Sequence, residues 1–425
     1  MRLPRAFLLL LAIAAVVATP PAGAAERPVV RVIELDNDIN PVTAEFVVDE
    51  VEGANHGSFA AIVIELDTPG GLSTSMNKIV KAILASKKPV LVYVSPEGAR
   101  AASAGVWIGQ AADLLAMAPQ TNIGSSTPIS AGGGNIPKDE RQKVVNDAAA
   151  SLRALAREHG RNVQWVDRAV RHASNLAARE ALGMNVIDAV ATSLPGLLAQ
   201  VDGVRTKPKG HVLHLEGARL DRVELSGWKR ILDVLIDPNI IVILLSVGTL
   251  GIVVELWNPG LVLPGTVGAI SLILGLFGLS VLPISWAGLL LMLLALGLWG
   301  TDLFVPTHGA LTLAGAAAFV FGALLLFDPA GDVYAVSLTL VLGITGMLML
   351  FFAFAIAKVV QARRRPVFVG TSSMVGATGV ARGDRLVFVN GELWQAVAED
   401  GQPLEPGERV AVDDVRGLRL VVHRV

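Results

Sequence analysis

The sequence predicts a multidomain membrane protein with three parts: an α/β domain exported across the membrane, an α-helical transmembrane block and a small C-terminal β-barrel. Three observations lead to this prediction. Hydrophobic residues make up 52% of the 425 residues and the mean hydropathy is +0.57, well above the composition of ordinary soluble domains. Beyond the first residues, the long apolar runs are confined to residues 237–358. The chain also begins with the pattern of a signal peptide.

Residues 1–24 have the three parts of a secretory signal peptide. Arg2 and Arg5 provide a positive start, a short apolar run follows, and Ala22-Gly23-Ala24 has the small-x-small form of a cleavage site. We therefore expect the mature chain to begin near Ala25 and to be exported. An uncleaved membrane anchor is the alternative.

Residues 25–205 alternate short strand patterns with helix-length amphipathic stretches. The segments VVRVIEL, AAIVIEL and PVLVYVS are rich in Val and Ile and bounded by turn residues, which is typical of buried strands. Between the last two lies GLSTSMNKIVKAILASKK, whose final lysines suit a helix C-terminus. A strand, a helix and a strand in succession predict a largely parallel sheet.

Residues 206–236 are predicted to form a polar connector with an interfacial helix at SGWKRILDVLIDPN, before the apolar block of residues 237–358. A bilayer requires about 20 residues per helix, which divides the block into five candidate membrane helices, at about 237–256, 264–283, 286–305, 308–327 and 335–357. An even number is the alternative, because the breaks carry almost no charge. Lys358 and the cluster Arg363–Arg365 mark the end of the last helix as cytoplasmic. With an exported N-terminal domain, this predicts an odd number of crossings in the cytoplasmic (inner) membrane.

Residues 366–425 are predicted to form a small barrel of the OB type. Val-rich segments alternate with turns, and Asn390-Gly391 between two of them is a strong hairpin signal. OB barrels often bind nucleic acid. The formal net charge of the chain is only −2, however, and this tail lacks a basic groove with exposed aromatic residues. We therefore expect no nucleic-acid partner.

A single serine, Ser103, stands among alanines and glycines in GARAASAGVWIGQAAD, where a strand passes into a helix. The first N–H groups of such a helix have no partner within it and point to where an oxyanion would form. The segment DTPGG follows the preceding strand, so the N–H groups of Gly70 and Ala104 are predicted to converge on one acyl oxygen beside Ser103. Helix capping by Ser103 is the structural alternative.

A serine nucleophile also requires a base. The chain contains no cysteine, which excludes thiolate chemistry, and His56, His159 and His172 lie in no telling context. Lys138 and Lys143 are the lysine candidates, because burial can lower the pKa of a lysine from about 10.4 toward 7–8. Periodicity alone places Lys143 opposite the apolar stripe of its helix and favours a solvated side chain there.

The motifs DTPGG, GARAASAG, IGSSTPI, QKVVNDAAASLRALAREHGRN and EALGMNVIDAVA, followed by a membrane block and an OB-type tail, together resemble the NfeD-type membrane-bound serine proteases. The resemblance extends from the signal peptide to Val425. It implies that residues 25–205 adopt the crotonase-like α/β fold, similar to Clp protease subunits and signal peptide peptidase A.

Position by position, the resemblance implies Ser103 as the nucleophile, Lys143 rather than Lys138 as the general base, and the backbone of Gly70 and Ala104 as oxyanion donors. The histidine and aspartate of Clp proteases have no counterpart here, which implies a Ser-Lys dyad. No metal and no cofactor are implied.

The resemblance implies a membrane-bound serine endopeptidase that cleaves apolar peptide segments near the lipid surface and forms a homo-oligomer. Stomatin- or prohibitin-like membrane proteins are the implied partners. A membrane scaffold whose protease-like domain only binds is the alternative function. Acyl-thioester chemistry is a third, and it is disfavoured because an exported domain would meet little coenzyme A.

Overall fold

The computed structural model describes residues 27–128, 138–302, 304–305, 307, 309–327, 334–364 and 374–425. The predicted signal peptide, residues 1–24, lies outside these ranges. The chain divides into two compact units, residues 1–350 and residues 351–425. The first unit holds the α/β domain and four apolar helices with the start of a fifth, and the second unit holds the C-terminal barrel.

Nine strands precede the apolar helices in the described residues: β1 Val29–Leu35, β2 Ala61–Leu66, β3 Val90–Val94, β4 Arg100–Ala102, β5 Leu114–Met117, β6 Asn122–Gly124, β7 Asn175–Ala177, β8 Ala189–Val190 and β9 Arg219–Val223. Six of them form one parallel sheet in the order β8-β5-β3-β2-β1-β9, which confirms the predicted parallel sheet. β9 arises within the segment predicted as a connector, residues 206–236, so the sheet continues past residue 205.

Helices cover both faces of this sheet. They are α1 Pro41–His56, α2 Ser73–Ala85, α3 Ala104–Ala111, α4 Lys138–Glu158, α5 Val163–Arg171, α6 Ala178–Gly183 and α7 Leu194–Gln200. Within β2, Ile62 and Ile64 enter one core while Val63 enters the other. Because both faces are buried, the strands appear in the sequence as continuous apolar runs. The predicted helix between the second and third strands is α2.

The remaining three strands form a smaller sheet in the order β4-β6-β7. β4 runs parallel to β6, and β6 pairs antiparallel with β7. β4 leads directly into the turn before α3, and β6 ends at Gly124 on the neighbouring segment. This small sheet therefore holds the backbone on either side of that turn.

In the part of the chain that the structure describes, six further helices follow β9: α8 Gly227–Leu235, α9 Pro238–Trp257, α10 Leu263–Val281, α11 Trp286–Asp302, α12 Ala310–Leu326 and α13 Leu338–Arg364. The last five lie close to the five predicted membrane helices. Three apolar segments, Pro238–Trp257, Leu263–Val281 and Leu338–Gln361, are long enough to cross a bilayer, whereas α11 and α12 have 17 residues each. Five crossings therefore remain a prediction.

Glycine allows the apolar helices to approach each other in pairs. A Cβ atom on Gly251 of α9 would lie 2.5 Å from the carbonyl oxygen of Pro264 in α10. A Cβ atom on Gly288 of α11 would lie 2.7 Å from the backbone of Leu326 in α12. Small residues at such contacts are typical of helices that pack within a membrane.

The second unit ends in a closed five-stranded barrel. Its strands are β10 Thr378–Gly383, β11 Leu386–Val389, β12 Glu392–Ala398, β13 Arg409–Arg416 and β14 Arg419–Arg424. The strand order is β10-β11-β12-β14-β13, and only the pair β12 and β14 is parallel. Asn390 and Gly391, with φ of 50° and 89°, form the predicted hairpin turn between β11 and β12.

Candidate active site

Ser103 occupies a strained turn between β4 and α3. Its backbone angles, φ 51° and ψ −111°, are ones that a residue with a side chain rarely adopts. Its N–H donates to the carbonyl oxygen of Gly124 at 3.0 Å, and its own carbonyl accepts from the hydroxyl of Ser126 at 3.3 Å. Although Ser103 stands at the N-cap position of α3, its side chain makes no capping hydrogen bond. The capping alternative is therefore not supported.

The Pro-Gly-Gly loop after β2 packs directly on Ser103. A Cβ atom on Gly70 would lie 2.6 Å from the Cβ and 3.1 Å from the Oγ of Ser103, so only glycine fits at this contact. The backbone of Thr68 pairs with β4, since its N–H donates to Arg100 at 2.7 Å and its carbonyl accepts from Ala102 at 3.1 Å. These two bonds hold the loop against the strand that leads to the serine. The predicted meeting of the two loops is observed.

The backbone donors around Ser103 differ in their availability. The N–H of Gly70 donates to the hydroxyl of the fully buried Thr68 at 3.1 Å. The N–H of Ala104 belongs to the first turn of α3, where no partner exists within the helix. Sequence reasoning did not find Thr68, because a threonine in a turn gives no sign of which backbone group it will bind.

The general base of the predicted site remains a prediction, because the structure gives only the surroundings of one of its two lysine candidates. Lys143 lies on the exposed side of α4, and within the described residues its side chain makes no hydrogen bond or ion pair. Ala149, Leu152 and Ala156, on the other side of α4, are fully buried. The side chain of Lys138 lies outside the described residues. The periodicity of this helix thus predicted the exposure of Lys143 correctly.

Of the three histidines considered as bases, two contact nearby backbone carbonyls and the third is exposed. His159 is buried, and the Nδ1 atom of its ring lies 2.8 Å from the carbonyl oxygen of Leu155. Burial and the nearby Arg161 lower the pKa of His159. His56 contacts the carbonyl of Glu52 in its own helix, and His172 is exposed.

Three family descriptions match successive parts of the chain: the NfeD1b N-terminal domain over residues 29–185, the NfeD integral membrane domain over 239–358, and the NfeD-like C-terminal, partner-binding domain over 371–424. The chain is also 33% identical over 416 residues to the membrane-bound protease PH1510 of Pyrococcus horikoshii, with 94% of each chain covered. The chain belongs to the NfeD family.

Two further relatives extend this comparison. The NfeD chain is 26% identical over 438 residues to membrane protein NfeD1b of Bacillus subtilis, with 94% of each chain covered. It is 32% identical to a solved structure described as a lysine-to-alanine mutant of the 1510-N membrane-bound stomatin-specific protease in complex with a substrate peptide. That match covers 49% of this chain and 98% of the other, with a TM-score of 0.46.

A buried arginine anchors the far end of α3 in the NfeD chain. The guanidinium of Arg161 donates to the carbonyl oxygens at the C-terminus of α3, those of Gly109, Gln110 and Ala112, at 3.2, 3.1 and 2.9 Å. It also donates to the carboxylate of Asp188 at 2.7 Å, while its side chain is only 1% exposed. A cation at a helix C-terminus satisfies carbonyl groups that would otherwise lack partners.

This contact gives a structural role to the ends of two segments that carried the family resemblance, GRN in QKVVNDAAASLRALAREHGRN and NVIDAVA in EALGMNVIDAVA. Arg161 and Asn162 belong to the first motif, and the Asn162 side chain caps α5 at the N–H of Trp165, 2.9 Å away. Asp188 belongs to the second motif and also accepts from the N–H of Leu115 in β5 at 2.7 Å. The two motifs therefore fix α3, and with it Ser103, against the sheet.

We predict that Arg161→Met lowers the free energy of unfolding by about 3–5 kcal/mol, because the three helix carbonyls and Asp188 lose a buried cationic partner. The matched control is Arg153→Met, since Arg153 pairs with Asp167 at 2.7 Å but is 36% exposed. An exposed pair contributes about 1 kcal/mol or less. Chemical unfolding of the full chain, followed by tryptophan fluorescence, measures both. Equal losses for the two variants would contradict the anchoring role.

Proposed function

We propose that this NfeD protein is a membrane-bound serine endopeptidase with Ser103 as its nucleophile. The observation that carries the proposal is the contact between Gly70 and Ser103. A serine with no capping bond, in a strained turn at a helix N-terminus, is packed against a Pro-Gly-Gly loop so closely that only glycine fits at the contact. The relative from Pyrococcus horikoshii, named a membrane-bound protease, supports the same conclusion.

In the proposed reaction, the Oγ of Ser103 bonds to the scissile carbonyl carbon while its proton passes to the neutral amine of Lys143. The carbonyl oxygen becomes an oxyanion that accepts from the N–H groups of Ala104 and Gly70. For this, the Gly70 N–H exchanges the Thr68 hydroxyl for the oxyanion. Lys143 then protonates the leaving nitrogen, and a water molecule hydrolyses the acyl-enzyme and returns the serine proton.

The assignment of Lys143 rests on the family resemblance. A lysine acts as a base near neutral pH only when water is removed from its ammonium group. Since Lys143 is exposed in the single chain, we propose that bound substrate or a second subunit of a homo-oligomer covers this face of α4 during the reaction. The active state then differs from the isolated chain in the surroundings of Lys143.

The helix α8 supports a site held near the lipid surface. Its exposed face carries Trp228, Ile231 and Val234, which are 66%, 52% and 56% exposed. Its opposite face contacts the α/β domain, where Lys229 forms an ion pair with Asp49 at 2.7 Å. We propose that the apolar face lies in the membrane interface, as expected of an amphipathic helix that leads into a membrane helix.

This position favours substrates that are themselves close to the membrane. The side chains next to Ser103 in the chain, Ala102 and Ala104, are small and apolar. An extended apolar segment can approach them without the cost of removing water from a charged side chain. The 1510-N relative is described as stomatin-specific, and the matching C-terminal family is described as partner-binding. We therefore propose a stomatin- or prohibitin-like membrane protein as partner and apolar peptide segments as substrate.

We predict that Ser103→Ala abolishes peptide hydrolysis and covalent labelling by a fluorophosphonate, because the nucleophilic oxygen is lost with little change in volume. Lys143→Ala should lower kcat at least about 100-fold, whereas Lys138→Ala, in the first turn of the same helix, should not. Purified full chain and a fluorogenic apolar peptide suffice for all three measurements.

Each result has a distinct meaning. Turnover by Ser103→Ala would exclude Ser103 as the nucleophile. An effect of Lys138 in place of Lys143 would move the base to Lys138. A wild-type chain that neither hydrolyses peptide nor takes the label would favour the scaffold function, in which the protease-like domain only binds.

Substrate preference is tested by a peptide series of constant length, in which apolar residues next to the scissile bond are replaced one at a time by Asp or Lys. We predict that each replacement lowers kcat/KM about tenfold or more, because a charge must leave water to enter an apolar site. A series with uniform kcat/KM would contradict the preference for apolar segments.

For topology, we propose that residues 26–225 lie outside the cytoplasmic membrane and residues 366–425 lie inside. The contact between Tyr334 and Asp38 supports this arrangement, because it requires an even number of crossings before Tyr334. α13 then adds one more crossing. We predict that reporter fusions after residue 225 and after residue 425 report opposite sides. Reporters on the same side would require four or six crossings.

A further inference from the structure

Tyr334 connects the membrane helices to the α/β domain. It lies between α12 and α13, it is only 4% exposed, and its hydroxyl donates to the carboxylate of Asp38 in the loop after β1. The same hydroxyl lies 3.5 Å from the carbonyl oxygen of Ile39. A residue that follows four apolar helices therefore touches the loop that leads into α1.

The main chain of Ile39 holds the Pro-Gly-Gly loop by hydrogen bonds on both sides of Gly71. Its N–H donates to the carbonyl oxygen of Gly70 at 2.7 Å, and its carbonyl accepts from the N–H of Leu72 at 2.8 Å. Between these bonds, a Cβ atom on Gly71 would lie 2.3 Å from the carbonyl oxygen of Ile39. Ile39 cannot shift without moving Gly70, and Gly70 is in contact with Ser103.

A second set of hydrogen bonds ties the loop after β1, which contains Asp38 and Ile39, to α8. The side-chain amides of Asn37 and Asn40 each donate to the carboxylate of Asp233 at 2.6 Å. The oxygen of the Asn40 side chain accepts from the N–H groups of Val42 and Thr43 and so caps α1. The loop is thus fixed on three sides, by α1, by α8 and by Tyr334.

Among the described residues, the hydroxyl of Tyr334 makes the shortest side-chain hydrogen bond to the Asp38 carboxylate. The two residues line a cleft of about 530 Å³ together with three more acidic residues, Asp36, Asp233 and Asp237, and no Lys or Arg is among its lining residues in the described chain. Burial and the charge of Asp233 raise the pKa of Asp38, and the same carboxylate is 3.3–3.4 Å from the Asn40 amide. Burial beside Asp38 also raises the pKa of Tyr334, which keeps its hydroxyl protonated as a donor.

We propose that Tyr334 and Asp38 are positioning residues that hold the Pro-Gly-Gly loop through the main chain of Ile39, so that the seating of the last membrane helices sets the geometry at Ser103. This inference rests on the proposed protease function. Loss of the hydroxyl leaves Asp38 buried without its main donor, and the loop with Gly70 relaxes away from Ser103. A displacement of about 1 Å at an oxyanion donor lowers the rate about 100-fold.

The test uses the full chain and the two tyrosines that it contains, Tyr93 and Tyr334. Tyr334→Phe should lower kcat about 10- to 100-fold, change KM less than about threefold, and slow fluorophosphonate labelling of Ser103 by the same factor as kcat. Tyr93→Phe is the matched control, because Tyr93 is 2% exposed and its hydroxyl donates to the carbonyl of Ala191 at 2.8 Å, in the other core of the sheet. Its kcat should stay within about twofold of wild type.

Substitutions of the acceptor provide the second arm. Asp38→Asn keeps an oxygen for the Tyr334 hydroxyl and should retain most of the wild-type kcat, whereas Asp38→Leu should behave like Tyr334→Phe. If Tyr334→Phe does not fold, the comparison of kcat between Asp38→Asn and Asp38→Leu tests the proposal by itself. Equal kcat for the two Asp38 variants, or wild-type kcat in folded Tyr334→Phe, would overturn the positioning role while the protease stands. An inactive wild type would instead refute the proposed function.

Discussion

The geometry of the candidate site depends on one close contact, that of Gly70 with the side chain of Ser103. Parallel pairing of β2 with β3 brings the carboxyl ends of both strands to the same edge of the sheet. The bonds of Thr68 to β4 then draw the two loops together until no Cβ atom fits between them. Arg161 fixes the C-terminus of α3, and Ile39 fixes the Pro-Gly-Gly loop through two main-chain hydrogen bonds. Each of these contacts limits how far Ser103 and Gly70 can separate.

The sequence predicted the parts of the molecule that rest on local patterns or on simple rules of chain direction. Short Val- and Ile-rich runs indicated β1, β2 and β3, and a helix between two such strands predicted their parallel order. From that order alone, the sequence predicted that Gly70 and Ser103 lie close together. The Asn-Gly turn of the barrel was predictable because its backbone conformation requires those residue types.

The rest of the structure depends on contacts between residues far apart in the chain. β9 is short and amphipathic, so nothing in its own pattern showed that it would pair with β1. For α8, periodicity indicated an amphipathic helix, but the exposure of Val234 and the docking of Lys229 on Asp49 depend on the domain beneath it. Thr68, Arg161 and Asp38 have polar side chains whose partners only the fold selects. Lys143 is the opposite case, since its pattern and its exposure agree and only family resemblance assigns it a catalytic role.

The hydrogen bond between Asp38 and Tyr334 joins residues 296 positions apart, which has a consequence for biosynthesis. The α/β domain is synthesised first, and it already contains Ser103 and the Pro-Gly-Gly loop when it leaves the ribosome. Tyr334 can reach Asp38 only after four apolar helices have been synthesised. A nascent or truncated chain therefore lacks this bond, and a newly made domain is distinguishable from a fully inserted one by a single contact next to the site.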